Sequence, residues 1–325
     1  MAETAGVSIS TVSLALNHPD RVSPTTRDRV IEAAGELGYR PRATPSSRAR
    51  LRVERIAVLA PFSSYESYLT RLVGVLDTFG PDDVDVVVLD APSAAEASSP
   101  LLETLPVRGD VDGLLIMGVP LGDKGADRLK RWGLPAVLVD SAHPSFSTVA
   151  FDDEEAGHLL AAHLLDRGHD RLAYLHEPQR SGDYVSPAML RLRGIRRALR
   201  EAGHDDDACV EMILPGTDFA AARHFAPTLV ERSDGPTAVI AHHDVLAAGL
   251  LTELRTIGTA VPEAIAIAGF DDGALAEGLG LTTVRQPFVD SGRQAAQILR
   301  AQIQTQGQYA TRTLLAPELV IRQTT

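Results

Sequence analysis

Short apolar runs that alternate with helix-like segments are the feature of this 325-residue sequence that most restricts its fold. The runs are short enough to be buried strands, and they comprise residues 56–60, 84–89, 113–117, 136–139, 172–175, 238–241 and 265–268. Segments between them, such as residues 154–167 and 190–202, place apolar residues three or four positions apart and end at Gly168 and Gly203. This alternation predicts an α/β body of doubly wound parallel sheets with crossover helices.

The first 43 residues follow a different pattern, that of three short helices with clear end signals. The helical segments are residues 2–4, 8–17 and 24–37. Ser8 and the Ser23-Pro24 pair are typical N-terminal caps, Gly6 permits a tight turn after the first helix, and Gly38 closes the third. The spacing predicts a helix-turn-helix DNA-binding headpiece over residues 1–43.

A polar, arginine-rich stretch at residues 44–53, broken by Pro45, reads as a hinge or linker before the larger body. The first 55 residues hold nine arginines and six acidic residues, a net charge of +3, although the whole chain carries −12. Arginine suits bidentate contacts with phosphate and guanine. The basic N-terminal end is therefore the candidate for binding nucleic acid.

Targeting signals and reactive cysteines are not indicated by the sequence. It contains no run of 18 or more uncharged apolar residues, and its N-terminus lacks a basic stretch followed by an apolar one. We therefore expect no membrane span, no signal peptide and a cytoplasmic location. The single cysteine, Cys209, permits no internal disulfide, and we expect a structural or surface residue rather than a reactive thiol.

Seven stretches of the sequence resemble the lactose-repressor (LacI/GalR) family of bacterial transcriptional regulators. In the family's order they are AGVSISTVSLALN, VSPTTRDRVIEAAGELGYRP, DDEEAGHLLAAHLLDRGHDRLAYL, LRLRGIRRALREAG, AIAGFDD, LTTVRQP and LLAPELVIRQTT. The resemblance implies a headpiece, a hinge and a core like that of periplasmic sugar-binding proteins, with two lobes joined by three crossings and a ligand between them. Approximate bounds are 54–150 and 284–311 for the first lobe, and 151–283 and 312–325 for the second.

The second helix of a helix-turn-helix enters the major groove with its N-terminal residues against the bases. The expected DNA-contacting residues are Ser8, Ile9, Ser10, Thr11, Ser13, Leu14, Asn17 and Arg27. The serines can bond to bases or phosphates, and we expect Thr11 and Arg27 to reach phosphates. The family usually carries an arginine where Leu14 stands, so we hypothesise apolar contact with thymine methyl groups. Alternatively, Ile9 and Leu14 pack within the headpiece.

Two departures from the family pattern concern the ends of the DNA-binding region. By comparison with the family, the chain begins inside the first helix, so we expect either a start codon further upstream or impaired DNA binding. Family members insert a leucine of the hinge into the minor groove. Arg48 stands at that position by counting, Leu51 follows three residues later, and Pro45 fits a helix only at its start. Arg48 could instead probe a narrow minor groove.

Polar residues follow several predicted strands, at the edge where ligands bind in open α/β sheets. Matching the family's motifs gives the expected ligand contacts Tyr68, Asp152, Arg191, Phe219 and Asp271. His243 is also expected to contact the ligand, but it departs from the family, which commonly has an asparagine there, and this suggests a different ligand hydroxyl pattern or a bulkier barrier. Carboxylates and an arginine suit a polyhydroxylated ligand, and the aromatic rings provide stacking faces. The alternatives are helix capping or a salt bridge for the two aspartates, lobe packing for Tyr68 and Phe219, and a surface-facing pair for His242 and His243.

Enzyme signatures are missing from the sequence, because it has no G-x-S-x-G, G-x-x-x-x-G-K-[ST] or G-x-G-x-x-G motif. We expect no catalytic residue, cofactor or metal. The sequence predicts a repressor of sugar or related metabolite genes that binds a near-palindromic double-stranded operator and a sugar or sugar derivative. We expect a homodimer or a tetramer. The alternative is a solute-binding or sensing protein without competent DNA binding.

Overall fold

The computed structural model of the protein describes residues 1–39, 54–80, 84–91, 100–178, 185–214, 216, 218–230, 235–305 and 309–325. The chain divides into a first unit of Met1–Ala150 and Phe288–Thr313 and a second unit of Phe151–Pro287 and Leu314–Thr325. The first unit contains the headpiece, residues 1–39, and a sheet domain that we call the first lobe. We call the second unit the second lobe. The predicted linker at 44–53, with Arg48, lies outside the described residues.

Three helices and one 3₁₀ turn form the headpiece: α1 (Ala2–Ala5), α2 (Ile9–Asn17), the turn (Pro19–Arg21) and α3 (Pro24–Glu36). The caps predicted from the sequence are confirmed. Ser8 Oγ accepts a hydrogen bond from the backbone N–H of Thr11 at 3.0 Å, and Ser23 Oγ accepts one from Thr26 at 3.3 Å. Gly6 follows α1 with a φ of 60°, which a glycine adopts without strain.

The body alternates strands and helices, as the apolar runs predict. In chain order its elements are β1 (Glu54–Ala60), α4 (Glu66–Phe79), β2 (Val84–Asp90), α5 (Pro100–Arg108), β3 (Gly113–Met117), α6 (Asp123–Trp132), β4 (Ala136–Val139), β5 (Ser147–Phe151), α7 (Asp153–Asp166), β6 (Leu172–His176), α8 (Pro187–Glu201), β7 (Cys209–Ile213), α9 (Phe219–Phe225), α10 (Pro227–Val230), β8 (Ala238–Ala241), α11 (Asp244–Thr256), β9 (Ala266–Asp271), α12 (Ala274–Leu279), β10 (Thr282–Arg285), α13 (Phe288–Gln304), β11 (Arg312–Leu315) and β12 (Glu318–Val320).

Each lobe is built on a six-stranded sheet, in the order β11-β5-β4-β3-β1-β2 in the first and β12-β10-β9-β8-β6-β7 in the second. The pairs among β1 to β5 and among β6 to β10 are parallel, and β12 pairs antiparallel with β10. The central strands are buried on both faces, as their continuous apolar sequences predict. None of the described helices is long and apolar enough to cross a membrane.

The two strand orders are equivalent, with β1 matching β6 and α4 matching α8. In the first lobe α4 crosses α13 so closely that a Cβ at Gly74 or Gly292 would overlap backbone carbonyl oxygen of the other helix. In the second lobe the same holds for Gly157 of α7 and Gly194 of α8. Both lobes therefore share one architecture, with a helix pair joined at glycines.

All seven runs predicted as strands form strands, but β5, β7, β10, β11 and β12 lie outside those runs, and β7 and β10 show why. β7 lies at the edge of its sheet, and Val210 and Ile213 are exposed there beside Glu211. β10 contains Thr282 and Thr283, which are fully buried because each hydroxyl has a hydrogen-bond partner, Thr325 Oγ1 and Asp244 Oδ1 respectively. An edge strand and a polar strand both lack the continuous apolar signal on which the prediction rested.

Candidate functional sites

The N-terminal half of α2 faces solvent in the headpiece. Ile9 is 81% exposed, and Ser8, Ser10 and Ser13 are exposed with it. The alternative that Ile9 packs within the headpiece is therefore wrong, whereas Leu14 is half-buried. A helix that exposes an apolar tip and three hydroxyls at its N-terminal end can contact base edges in a major groove.

Hydroxyl groups on this face are already oriented by one another. Ser8 Oγ lies 2.7 Å from Ser10 Oγ and 2.8 Å from Thr11 Oγ1. Asn17 Nδ2 donates to the carbonyl oxygen of Ser13 at 3.0 Å. Ser10, Thr11 and Ser13 each keep a further hydrogen-bonding function for DNA, whereas the three partners of the Ser8 hydroxyl already use its one donor and two acceptor positions.

Arg27 does not face the surface expected to meet DNA. Its side chain is 7% exposed, with Nε donating to Glu103 at 2.5 Å and Nη1 donating to the carbonyl oxygen of Pro19 at 3.1 Å. The expected phosphate contact by Arg27 is wrong for this conformation. The reason is that the first turn of α3 packs towards α5 of the first lobe, which the sequence pattern of α3 alone does not reveal.

Arg191 lies at the centre of a buried polar network in the second lobe. Its Nε donates to Asp153 Oδ1 at 2.8 Å, and its Nη1 donates to the backbone oxygen of His242. The guanidinium lies 4.3 Å from the ring centroid of Phe270. The sequence identified Arg191 but missed Asp153, because Asp152 beside it stood at the position that the family pattern indicated.

His242 is part of the same network. Its Nδ1 lies 3.2 Å from Arg191 Nη1 and 3.0 Å from the Tyr174 hydroxyl. Because an arginine only donates, Nδ1 accepts, and the ring is the neutral tautomer that carries its proton on Nε2. Burial, reinforced by the charge of Arg191, lowers the pKa of His242 well below its ordinary value. The alternative of a surface-facing histidine pair is therefore wrong for His242.

His243 begins the neighbouring helix. Its Nδ1 accepts a hydrogen bond from the backbone N–H of Leu246 at 3.4 Å, which caps α11. Burial and the positive charge of Arg191 lower the pKa of His243 to about 4. Both histidines of this pair are thus neutral at pH 7.

Asp271 stands at the carboxyl end of β9 with a φ of 120°, a conformation that side-chain-bearing residues rarely adopt. Its Oδ1 accepts from Gln286 Nε2 at 2.7 Å. Asp244 lies close by and accepts from Thr283 at 2.7 Å, and burial together with the charge of Asp271 raises the pKa of Asp244. Strained backbone and paired carboxylates are concentrated at this end of the sheet, where ligands bind in α/β folds.

The remaining candidates of the second lobe have structural roles of their own. Asp152 is the N-cap of α7, and its Oδ1 accepts from the backbone N–H of Glu155 at 3.0 Å, as the capping alternative predicts. Phe219 begins α9 and is half-buried, with its carbonyl oxygen against Gly249. These roles leave ligand contacts by Asp152 and Phe219 as predictions.

In the first lobe Tyr68 is 8% exposed, and its hydroxyl lies against Gly118 at the end of β3. Arg71 places its guanidinium 5.1 Å from the Tyr68 ring and pairs with Asp140, and both charged side chains are buried. The sequence missed this pair. A signal was present, because Arg-Leu-x-Gly occurs at residues 71–74 and again at 191–194, on the equivalent helices α4 and α8.

Metal and thiol chemistry find little support in the described residues. They contain no group of three or more His, Cys, Asp or Glu residues that could hold a metal ion. Cys209 is buried in the apolar core of the second lobe, and this burial raises the pKa of its thiol to about 12. The thiol is therefore protonated at pH 7 and is a weak nucleophile.

Comparisons with known proteins agree with this geometry. Residues 1–42 match the family described as bacterial regulatory proteins, lacI family, and residues 161–325 match a periplasmic binding protein-like domain. The HTH-type transcriptional repressor PurR of Vibrio vulnificus (strain CMCP6) is 30% identical over 331 residues, which cover 100% of this chain and 97% of PurR. The chain belongs to the lacI family of bacterial regulators.

Two further relatives support the same assignment. The HTH-type transcriptional repressor CytR of Escherichia coli (strain K12) is 30% identical and covers 100% of this chain and 95% of CytR. The structure of a transcriptional regulator CelR-cellobiose complex is 27% identical, with a TM-score of 0.70, and covers 100% of this chain and 98% of CelR. The resemblance stated from the sequence is thus confirmed, and the relatives are transcriptional regulators rather than enzymes.

The depressed pKa of His243 predicts a loss of stability in acid. Between pH 6.5 and about 4 the unfolded chain binds a proton at His243 that the folded chain does not, so the free energy of unfolding falls as the pH falls. Replacing His243 by asparagine, which can also cap a helix, removes this dependence.

Between pH 7 and pH 4.5, we expect the free energy of unfolding of His243→Asn to fall by about 2 kcal/mol less than that of the wild type. Urea unfolding at several pH values measures the difference. His224→Asn, on the exposed surface of α9, is the matched control and should follow the wild type. Equal pH dependence of the wild type and His243→Asn would contradict the assignment.

Proposed function

We propose that the protein is an effector-responsive transcriptional repressor that works inside the cell, without catalysis, on genes for a sugar or related metabolite. The observation that carries this proposal is the capped helix α2, which exposes Ile9 and three serines in a chain of the lacI family. Regulators of this family bind DNA operators and small-molecule effectors.

The DNA-reading surface consists of Ile9, Ser10, Ser13 and Leu14, with Ser8, Thr11 and Asn17 at its margin. Ile9 and Leu14 provide apolar contacts for thymine methyl groups, and the serines provide hydrogen bonds. The surface contains no arginine, so the bidentate contact with guanine that arginine makes is missing. We therefore propose an operator whose contacted positions are richer in A·T pairs than those read by relatives with an arginine there.

For the effector, the proposed contacts are Tyr68, Asp152, Arg191, Phe219, His243 and Asp271. Asp271 supplies a carboxylate, Arg191 a guanidinium, and His243 a neutral ring whose Nε2–H can donate, because its Nδ1 accepts from Leu246. Such a set can match hydroxyl groups, each of which both donates and accepts. The CelR relative, which was solved with cellobiose, supports a sugar or sugar derivative as the ligand.

An exposed apolar stripe on α4 supports pairing of two copies of the chain. Leu69, Val73 and Leu76 are 48%, 49% and 48% exposed at successive turns of one helix face. The equivalent helix α8 carries Arg193 and Arg196 at the positions that match Val73 and Leu76. Equivalent helix faces are thus charged on α8 of the second lobe and apolar on α4 of the first. This difference indicates that the apolar stripe on α4 is covered in the assembled protein.

Pairing through α4 would create a homodimer with two recognition helices, which suits a near-palindromic operator with half-sites about one DNA turn apart. An effector that binds one conformation of the dimer better than another shifts the population towards it. Operator affinity then follows the effector because the two headpieces change their spacing.

The residue at position 14 should set part of the operator preference. We expect the full-length protein to enrich a near-palindromic sequence from random duplex DNA, and Leu14→Arg to enrich guanine at one position of each half-site, because arginine bonds to guanine O6 and N7. The discrimination should be about fivefold to a hundredfold. Leu314→Arg, which adds the same charge at an exposed site of β11, should select the wild-type sequence. An unchanged preference in Leu14→Arg would refute the groove contact.

Arg191 and Asp271 should be required for the effector. We expect a thermal-shift screen of monosaccharides, disaccharides and nucleosides to yield a ligand that raises the melting temperature. Asp271→Asn should bind that ligand at least about tenfold more weakly, since it loses a charge-assisted hydrogen bond but keeps its shape. Arg191→Met should also lose binding, and Asp205→Asn, at an exposed site, should retain it. Wild-type affinity in both Asp271→Asn and Arg191→Met would exclude the proposed site.

Leu76→Arg, which copies the residue on the equivalent face of α8, should weaken the dimer. We expect the wild type to sediment as a dimer or larger species and Leu76→Arg as a monomer at the same concentration, because the arginine would be buried without a partner. Leu314→Arg is again the control for charge and should sediment as the wild type does. A dimer in Leu76→Arg, or a monomer in the wild type, would rule out pairing through α4.

A further inference from the structure

The headpiece packs against the first lobe through the outer face of α3. Two of its apolar residues, Ile31 and Ala34, form a buried cluster with Val107 of α5, and Met1 and Leu16 of the headpiece pack against both this cluster and the headpiece core. Trp132 at the end of α6 packs against the same cluster. Without the first lobe, α3 would expose Ile31, which is 4% exposed here. The headpiece therefore has an apolar face in addition to its own core.

Charged residues of alternating sign surround this apolar contact. Arg27 of α3 pairs with Glu103 at 2.5 Å, and Glu103 lies 3.6 Å from Arg128 of α6. Asp28 of α3 accepts from Arg128 at 2.8 Å and from Lys124 at 2.6 Å. Opposite charges therefore face each other across the contact, and the side chains of Arg27 and Arg128 are both only 7% exposed.

The first lobe offers a distinct surface for this contact. On α5, Leu102 and Leu105 point into the core of the lobe, whereas Glu103 and Val107, four residues apart, point to the headpiece. We call Glu103, Val107, Lys124, Arg128 and Trp132 the docking surface. Val107 is fully buried although it lies outside the core of the lobe, so the headpiece is what covers it.

Docking leaves the DNA-reading face of α2 open. Ile9 is 81% exposed, and Ser10 and Ser13 are exposed beside it while α3 is docked. We propose that the headpiece reads DNA in this docked state, so that the first lobe itself sets the orientation of α2. Glu103 and Arg128 are then positioning residues for DNA binding, although neither touches DNA. This inference rests on the proposed function and adds a route by which the core controls the headpiece.

The docked contact gives the first lobe control over the position of α2. A movement of the first lobe carries α2 with it, because ion pairs and apolar contacts, and not the chain connection alone, join the two. Arg27 acts in docking instead of contacting a phosphate. Loosening the docking surface should reduce the preference for the operator more than the general attraction to DNA, because orientation governs base contacts whereas phosphate contacts tolerate disorder.

Trp132 is the only tryptophan of the chain, so its fluorescence can measure docking of the headpiece in the absence of DNA. We expect Glu103→Lys, which opposes Arg27, and Val107→Asp, which breaks the apolar contact, each to increase acrylamide quenching of the Trp132 fluorescence about twofold and to shift its emission to the red. Both changes leave every headpiece residue intact. Asp85→Lys, the same charge reversal on exposed β2, should match the wild type. Wild-type quenching in both docking variants would overturn the docked state.

A second measurement uses DNA: the duplex enriched by the full-length wild type and a scrambled duplex of equal length. We expect Trp132 quenching to stay at the wild-type value in the complex, and both docking variants to bind the enriched duplex about tenfold more weakly, with little change on the scrambled one. An increase in Trp132 quenching upon binding, or tighter binding by Glu103→Lys, would show that docking is a resting position and overturn the proposal. Failure of the wild type to enrich any duplex would count against the proposed function instead, since the quenching measurement needs no DNA.

Discussion

The close crossing of α7 and α8 at Gly157 and Gly194 is the constraint on which the second lobe depends. A side chain at Gly157 would overlap the backbone of Arg191, so the absence of a Cβ lets the two helices touch and fixes where Arg191 emerges. The first lobe repeats this at Gly74 and Gly292, with Gly292 against the backbone of Arg71. Backbone contact leaves the helices little freedom to slide, and each arginine is thereby held under the ends of the parallel strands.

Each of these arginines is buried and paired, which determines the charge of its surroundings. A buried guanidinium is tolerated only when carboxylates and carbonyl groups replace its water, as Asp153 and the His242 carbonyl do for Arg191. The positive charge in turn helps to keep His242 and His243 neutral. The second lobe thus holds neutral histidine rings and the Asp271 carboxylate at one end of its sheet.

The same principle joins the headpiece to the first lobe. Arg27 bonds to the carbonyl oxygen of Pro19 within the headpiece, and the first lobe supplies Glu103 as the partner of its Nε. The headpiece therefore has one face for its own core, one for the lobe and one, on α2, that we propose for DNA. This arrangement makes the position of the recognition helix a property of the whole first unit.

The sequence by itself determined the features that depend on neighbours within one or two helical turns. Local sequence patterns predict the caps at Ser8 and Ser23, the apolar strands and the family motifs. Each of these patterns lies within a few residues of the structure that it specifies. Tertiary structure alone decided the partner of Arg27, since 76 residues separate it from Glu103, and likewise the choice of Asp153 as the partner of Arg191. Ion pairs of this kind form only after packing has brought distant helices together, so no local pattern encodes them.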